Sequence, residues 1–101
     1  NYDRALNQLG IAYFNKQQYE EAFQVFDRNM KLNPKNVIAF YYSGLIFAQN
    51  NDFKTALTYL DKSLKVNARY KPSYYLIARI LSIQGNEAEA KKYIEYANSI
   101  Q

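Results

Sequence analysis

Residues 3–36 read DRALNQLGIAYFNKQQYEEAFQVFDRNMKLNPKN, and the same order of small, aromatic and aliphatic letters returns twice more at intervals of 34 residues. Gly10, Gly44 and Ala78 align at that spacing, as do Tyr13, Phe47 and Leu81, then Ala22, Ala56 and Ala90, then Phe26, Leu60 and Ile94, then Leu32, Val66 and Ile100. A fixed period of this length marks a stack of helical hairpins, because no single hairpin can bury its apolar face and each must be covered by a neighbour. The whole chain of 101 residues divides into about three such units, 3–36, 37–70 and 71–101, with nothing left for a second domain.

Within each period, apolar residues recur at i, i+3, i+4 and i+7 in two runs separated by a short polar break. The spacing predicts helices over 3–16, 19–32, 37–49, 53–66, 72–84 and 87–100. Gln17-Gln18, Asn50-Asn51-Asp52 and Gly85-Asn86 fall between the two helices of a unit. Asp52 and Asn86 are suited to accept backbone N–H groups as N-caps, and Asn86 with Glu89 fits a capping-box variant. Asn33-Pro34-Lys35-Asn36 ends one hairpin and opens the next, since proline cannot continue a helix, while Pro72 suits a first helical turn, where its missing N–H costs nothing.

The small residues set how closely the helices approach. Gly10, Gly44 and Ala78 are placed where a first helix meets its partner, with Ala22, Ala56 and Ala90 opposite. Leu6, Leu9, Tyr13, Tyr19 and Phe26 are expected to fill the first unit, and Phe40, Phe47, Phe53 and Leu60 the second. A glycine inside a helix costs about 1 kcal/mol relative to alanine, so its use at Gly10 and Gly44 implies a larger return from packing.

Composition narrows the function. Aromatic residues make up 17% of the chain, eleven of them tyrosine and none tryptophan, which suits a packed fold and not a disordered one. There is no cysteine, hence no disulfide framework or thiolate site, and no histidine, the commonest general base and metal ligand. The net charge of +4 is modest and its lysines are dispersed, which does not make a nucleic-acid footprint. No apolar run is long enough to cross a membrane, so membrane insertion is not expected. The first residue is Asn1 and not Met, and the chain is expected to be part of a longer protein; a soluble domain of cytoplasm or periplasm fits equally. No phosphate loop, metal-ligand cluster or nucleophile beside a base is present, so neither an enzyme nor a cofactor is expected. The acidic residues Glu20, Glu21, Glu87 and Glu89 sit in first turns, where negative charge favours the helix dipole. Lys62, Lys65, Lys91 and Lys92 are expected on solvated faces.

On these letters the chain resembles the tetratricopeptide repeat family over its whole length. The first unit carries the pattern as Leu9, Gly10, Tyr13, Tyr19, Ala22, Phe26 and Pro34; the second keeps Gly44, Phe47, Phe53 and Ala56; the third keeps Ala78, Leu81, Ala90 and Ala97. Departures include Leu6 for the usual tryptophan, Asn29 and Ser63 for an alanine, Ala68 for a proline and Glu87 for an aromatic residue. The RNA-reading pentatricopeptide repeat, with a period of 35, would drift out of step. The resemblance implies an all-α, right-handed superhelix, an α-solenoid of three hairpins. Its first helices would line a concave face that takes a protein or peptide partner. That face would present Arg4, Asn7, Ile11 and Phe14, then Tyr41, Tyr42, Leu45 and Gln49, then Tyr75, Leu76, Arg79 and Ile83. Tyr41 and Tyr75 would form a ring ladder, with Arg4 and Arg79 as a charged rim, a composition suited to an apolar helix or extended segment.

Family members that hold heat-shock chaperone C-termini use a clamp of lysine, asparagine and arginine. Its positions would fall on Asn7, Ile11, Tyr42, Pro72 and Leu76, none of the required type, so a carboxylate-clamp peptide is not the expected partner. Self-association through the groove or the first helix is the alternative, and base stacking on the tyrosines by single-stranded nucleic acid ranks below it for want of a basic track. In the third unit, Phe23 and Leu57 give way to Lys91, and Met30 and Leu64 to Asn98, which marks that hairpin as a terminal cap. At the other end Asn1-Tyr2 falls one period before Lys35-Asn36, as the tail of an earlier repeat would.

Overall fold

A computed structural model describes residues 2–101; the first half of the Asn1-Tyr2 expectation lies outside the described residues. Six helices follow one another: α1 (Tyr2–Asn15), α2 (Tyr19–Leu32), α3 (Val37–Gln49), α4 (Phe53–Val66), α5 (Lys71–Ile83) and α6 (Glu87–Ser99). Consecutive helices pair as the hairpins α1/α2, α3/α4 and α5/α6, and the hairpins stack into a body of 39 × 29 × 19 Å, an all-α solenoid. Backbones of α1 and α3, and of α3 and α5, come within 8 Å of each other, whereas those of α2 and α4, or α4 and α6, do not. The first helices therefore lie on the inner side of the curve.

Each hairpin closes in the same way. Gln17, Asn51 and Gly85, spaced by the repeat period, take left-handed backbone angles (φ 63°, 62° and 86°). The next amide then donates back to the preceding helix: Gln18 N to Tyr13 O, Asp52 N to Phe47 O and Asn86 N to Leu81 O, at 2.9, 2.9 and 2.8 Å. This is a Schellman closure, which satisfies carbonyls the helix end would leave orphaned. Second helices then begin on a cap position. Asp52 accepts from Thr55 N at 3.2 Å as expected, but Asn86 makes no side-chain cap bond and stays exposed, so the capping box with Glu89 does not form. Glu87 instead accepts from Ser82 Oγ at 3.3 Å.

The small residues are where the packing needs them. A Cβ added to Gly10 would meet Cζ of Phe26 at 2.6 Å, and one added to Gly44 would meet Leu60 Cδ2 at 2.8 Å. Phe26 and Leu60 are fully buried, as are Ala22 and Ala56. Leu9 departs from expectation: it is 45% exposed, because it lies on a side of α1 that no other described helix covers.

A buried hydroxyl pair joins the second and third units. Ser63 Oγ and Ser73 Oγ lie 2.6 Å apart, and Ser63 Oγ is also 2.6 Å from Leu60 O. Ser63 can donate to the carbonyl while accepting from Ser73. Ser63→Ala strands the Ser73 hydroxyl and should cost about 1–2 kcal/mol, whereas Ser63→Ala with Ser73→Ala removes both partners and should recover most of that loss. Urea denaturation of the three chains measures it.

Candidate functional site

The residues expected to line the concave face divide into three groups. Several are part of the core. Leu76 is 6% exposed and belongs to the cluster around Ala56 and Leu60, so it floors the surface and offers little area. Tyr42 lies flat against Phe26, ring centroids 5.4 Å apart, and Phe14 meets Tyr42 edge-on and Tyr19 at a tilt. These rings pack within and between hairpins because α3, apolar on nearly every side, is sandwiched by α1, α2, α4 and α5.

Asn7 forms a second group with two residues that the repeat pattern does not link. It exchanges amide hydrogen bonds with Asn36, Nδ2 to Oδ1 and Oδ1 from Nδ2 both at 3.0 Å, and its Oδ1 also accepts from Asn29 Nδ2 at 2.9 Å. Asn36 caps α3 as well, accepting from Ala39 N at 3.2 Å. The network ties α1, α2 and α3 together and uses both acceptor positions of Asn7 Oδ1.

The third group is open. Tyr41, Leu45, Pro72, Tyr75, Leu76 and Arg79 surround a depression between α3 and α5. A second hollow, reaching Gln49 and Ile83, shares Leu45, Leu76 and Arg79 with the first, so the two form one continuous track along the inner side. Farther along the same side, Arg4, Asn7 and Ile11 border a third hollow with Ile38. Tyr75 is 40% exposed and Ile83 61%.

Tyr41 and Tyr75 border the same depression without forming a ring ladder. Tyr41 meets Tyr70 and Tyr42 edge-on at 5.6 and 5.4 Å, and the Tyr75 hydroxyl is hydrogen-bonded to Asn98 Oδ1. Each ring is drawn to a partner in its own neighbourhood, and consecutive first helices do not bring them face to face. Burial pushes the Tyr41 hydroxyl above its ordinary value; Tyr42 adds to the shift and Arg79 opposes it. Burial, reinforced by Tyr41 and Tyr42, pushes Tyr70 up to about 12. Both stay protonated across the neutral range and can donate a hydrogen bond.

Elsewhere, Lys62 Nζ lies 5.4 Å from the Tyr59 ring centroid and Lys65 pairs with Asp61 at 3.2 Å, both at the surface. No group of three or more metal-ligating side chains occurs among the described residues, and none of their helices is long and apolar enough to cross a membrane.

Three stacked hairpins with an apolar, tyrosine-edged inner track define a helical-repeat scaffold for protein–protein interaction. Two tetratricopeptide repeat models match, one over residues 3–36 and the other over 72–101, and the chain belongs to the tetratricopeptide repeat family. It is 23% identical over 89 residues to stress-induced-phosphoprotein 1 of Caenorhabditis elegans, covering 88% of this chain and 28% of that protein. The chain thus spans little more than a quarter of that curated relative. Among solved structures it is similar to the Yersinia enterocolitica type III secretion chaperone SycD in complex with a peptide of the translocator YopD, with TM-score 0.88, 18% identity, and 96% and 74% of the two chains covered. It is equally similar to the second such domain of Spaghetti (RPAP3) bound to the HSP90 peptide SRMEEVD, with TM-score 0.88, 14% identity, and 98% and 92% covered. These likenesses establish the fold.

Proposed function

We propose that the chain captures an apolar helix or extended segment of a protein partner along the track between α3 and α5. The observation that carries this is the continuity of the two hollows across Leu45, Leu76 and Arg79. Leu45 and the tyrosine rings supply apolar contact with few torsions to freeze, and the Arg79 guanidinium fixes orientation. Two similar folds hold peptides in their solved complexes, which supports the mode of use.

The occupant we propose does not end in a clamped carboxylate. Of the positions such a clamp would use, Asn7 is committed to Asn29 and Asn36, Tyr42 to Phe26, and Leu76 is core. None can supply the paired cationic donors a carboxylate needs. Arg4, at the far end of the inner side, borders the track's extension.

Tyr75 and Arg79 both line the depression between α3 and α5 and are exposed, so Tyr75→Ala with Arg79→Ala is the test. Peptides selected from a random display library on the parent chain should bind that double variant at least about tenfold more weakly, while its melting temperature stays within a few degrees. Equal binding by both chains would move the site away from this track.

A further inference from the structure

We propose that the outer flank of α6 binds a phosphocholine group, a trimethylammonium with a phosphate close beside it. Tyr74, Glu89, Lys92, Tyr93 and Tyr96 surround a hollow of about 260 Å³ there. It shares no lining residue with the inner track. Tyr74 and Tyr93 pack with Leu64 of α4, so the hollow lies on the side of α6 turned toward the second hairpin. Lys91 and Asn98, at the end of the stack, do not border it.

Three tyrosine rings meet at this hollow at different tilts. The Tyr74 ring lies 5.1 Å from Tyr96 at 69°, and 6.4 Å from Tyr93 at 30°, centroid to centroid. The Tyr74 hydroxyl donates to Ala68 O at 2.6 Å, so this residue offers the hollow its ring and not its hydroxyl. Tyr96 is 54% exposed. Aromatic faces attract a cation held within about 6 Å of their centroids, and several of them around one point recognise quaternary ammonium groups, which have no N–H to donate.

The second hairpin shows the same place already filled. One period earlier, Phe40 stands for Tyr74, Thr55 for Glu89, Tyr59 for Tyr93 and Lys62 for Tyr96. There the chain supplies its own cation, for Lys62 Nζ lies 5.4 Å from the Tyr59 ring centroid. In the third hairpin a further ring replaces that lysine and a carboxylate replaces the threonine. The internal cation is gone, and its surroundings favour one from outside.

Glu89 and Lys92 decide what else the ligand carries. Both are exposed, and neither is in a salt bridge among the described residues. Residues three apart on a helix are neighbours, with about 5–6 Å between Cβ atoms. A bare cation would gain from Glu89 and lose to Lys92, whereas a zwitterion gains from both. Phosphocholine joins its two charges through a short two-carbon link and matches that spacing.

Phosphocholine titrated into the 101-residue chain should shift the ring resonances of Tyr74, Tyr93 and Tyr96, leave those of Tyr41 and Tyr75 in place, and saturate with a Kd of about 1 mM or tighter. Tyr96→Phe should bind like the parent. Tyr96→Lys, which restores the second hairpin's residue, should bind at least about tenfold more weakly, as should Glu89→Gln. Lys92→Met should weaken phosphocholine but not tetramethylammonium, which separates the two ends of the ligand. These positions are exposed, so each variant should melt within about 3 °C of the parent. Co-sedimentation with phosphatidylcholine vesicles identifies the source: retention assigns the group to a lipid headgroup, and binding of soluble phosphocholine alone assigns it to a free molecule. Equal binding of phosphoethanolamine, or no saturating shift of the three rings by about 10 mM, overturns the proposal.

Discussion

Phe26→Ala should lower stability by about 3–5 kcal/mol, a large part of the roughly 5–15 kcal/mol available to a domain of this size. The ring is fully buried, stacks on Tyr42 and presses on the backbone of Gly10, so its loss opens a cavity between α1, α2 and α3 that none of the three can close alone. Thermal melting should fall by about 15 °C or more. The same ring decides the sign of a second substitution. Gly10→Ala places a methyl 2.6 Å from the ring and should destabilise the parent, despite the gain of about 1 kcal/mol in helix propensity. In the Phe26→Ala background the obstacle is gone, and Gly10→Ala should become stabilising. If Gly10→Ala is harmful in both backgrounds, the close approach to Phe26 is not what selects glycine.

Asn36→Ala should cost about 2–3 kcal/mol, more than a helix cap ordinarily contributes. The cap bond to Ala39 N accounts for about 1 kcal/mol, and the rest follows from breaking two amide bonds to Asn7 in a region where Asn36 is 6% exposed. Asn29 sits in the same network with its Nδ2 bonded to Asn7, its side chain buried and its Oδ1 without a partner, so it has little slack to compensate. Asn36→Asp retains the cap acceptor but cannot donate to Asn7, and should lose only part of the stability. Denaturant titrations of the two variants separate cap from network. No loss in Asn36→Asp would mean that donation to Asn7 contributes nothing.

The helices were legible because a 34-residue period repeats every boundary signal, and α2, α3 and α4 end where the letters place them. The close approach at Gly10 and Gly44 was legible for the same reason. Leu9 was not, because periodicity shows which residues are apolar without showing which outer faces have a neighbour. The inner surface was legible only in outline. In VIAFYYSGLIFAQ, the whole of α3, apolar letters fall on every side, so amphipathicity could not distinguish Tyr42, which packs inward, from Tyr41, which borders the track. The asparagine network joins residues 22 and 29 apart, spacings that belong to no helical period. Its only trace in the letters was Asn29 standing where the family pattern has alanine.

The three left-handed turn residues have a consequence for how such a molecule can change over generations. Gln17, Asn51 and Gly85 are exposed and chemically unlike, yet each closes its hairpin with the same backbone torsion and the same returning amide bond. A side chain at Gly85 would meet nothing within 4 Å, so the only cost of replacing it is the left-handed torsion itself. Hairpin geometry is thus held by main-chain hydrogen bonds across a left-handed torsion, away from the side chains of the inner track. Partner choice can drift by exchanging tyrosines, leucines and arginines while the frame beneath keeps its shape.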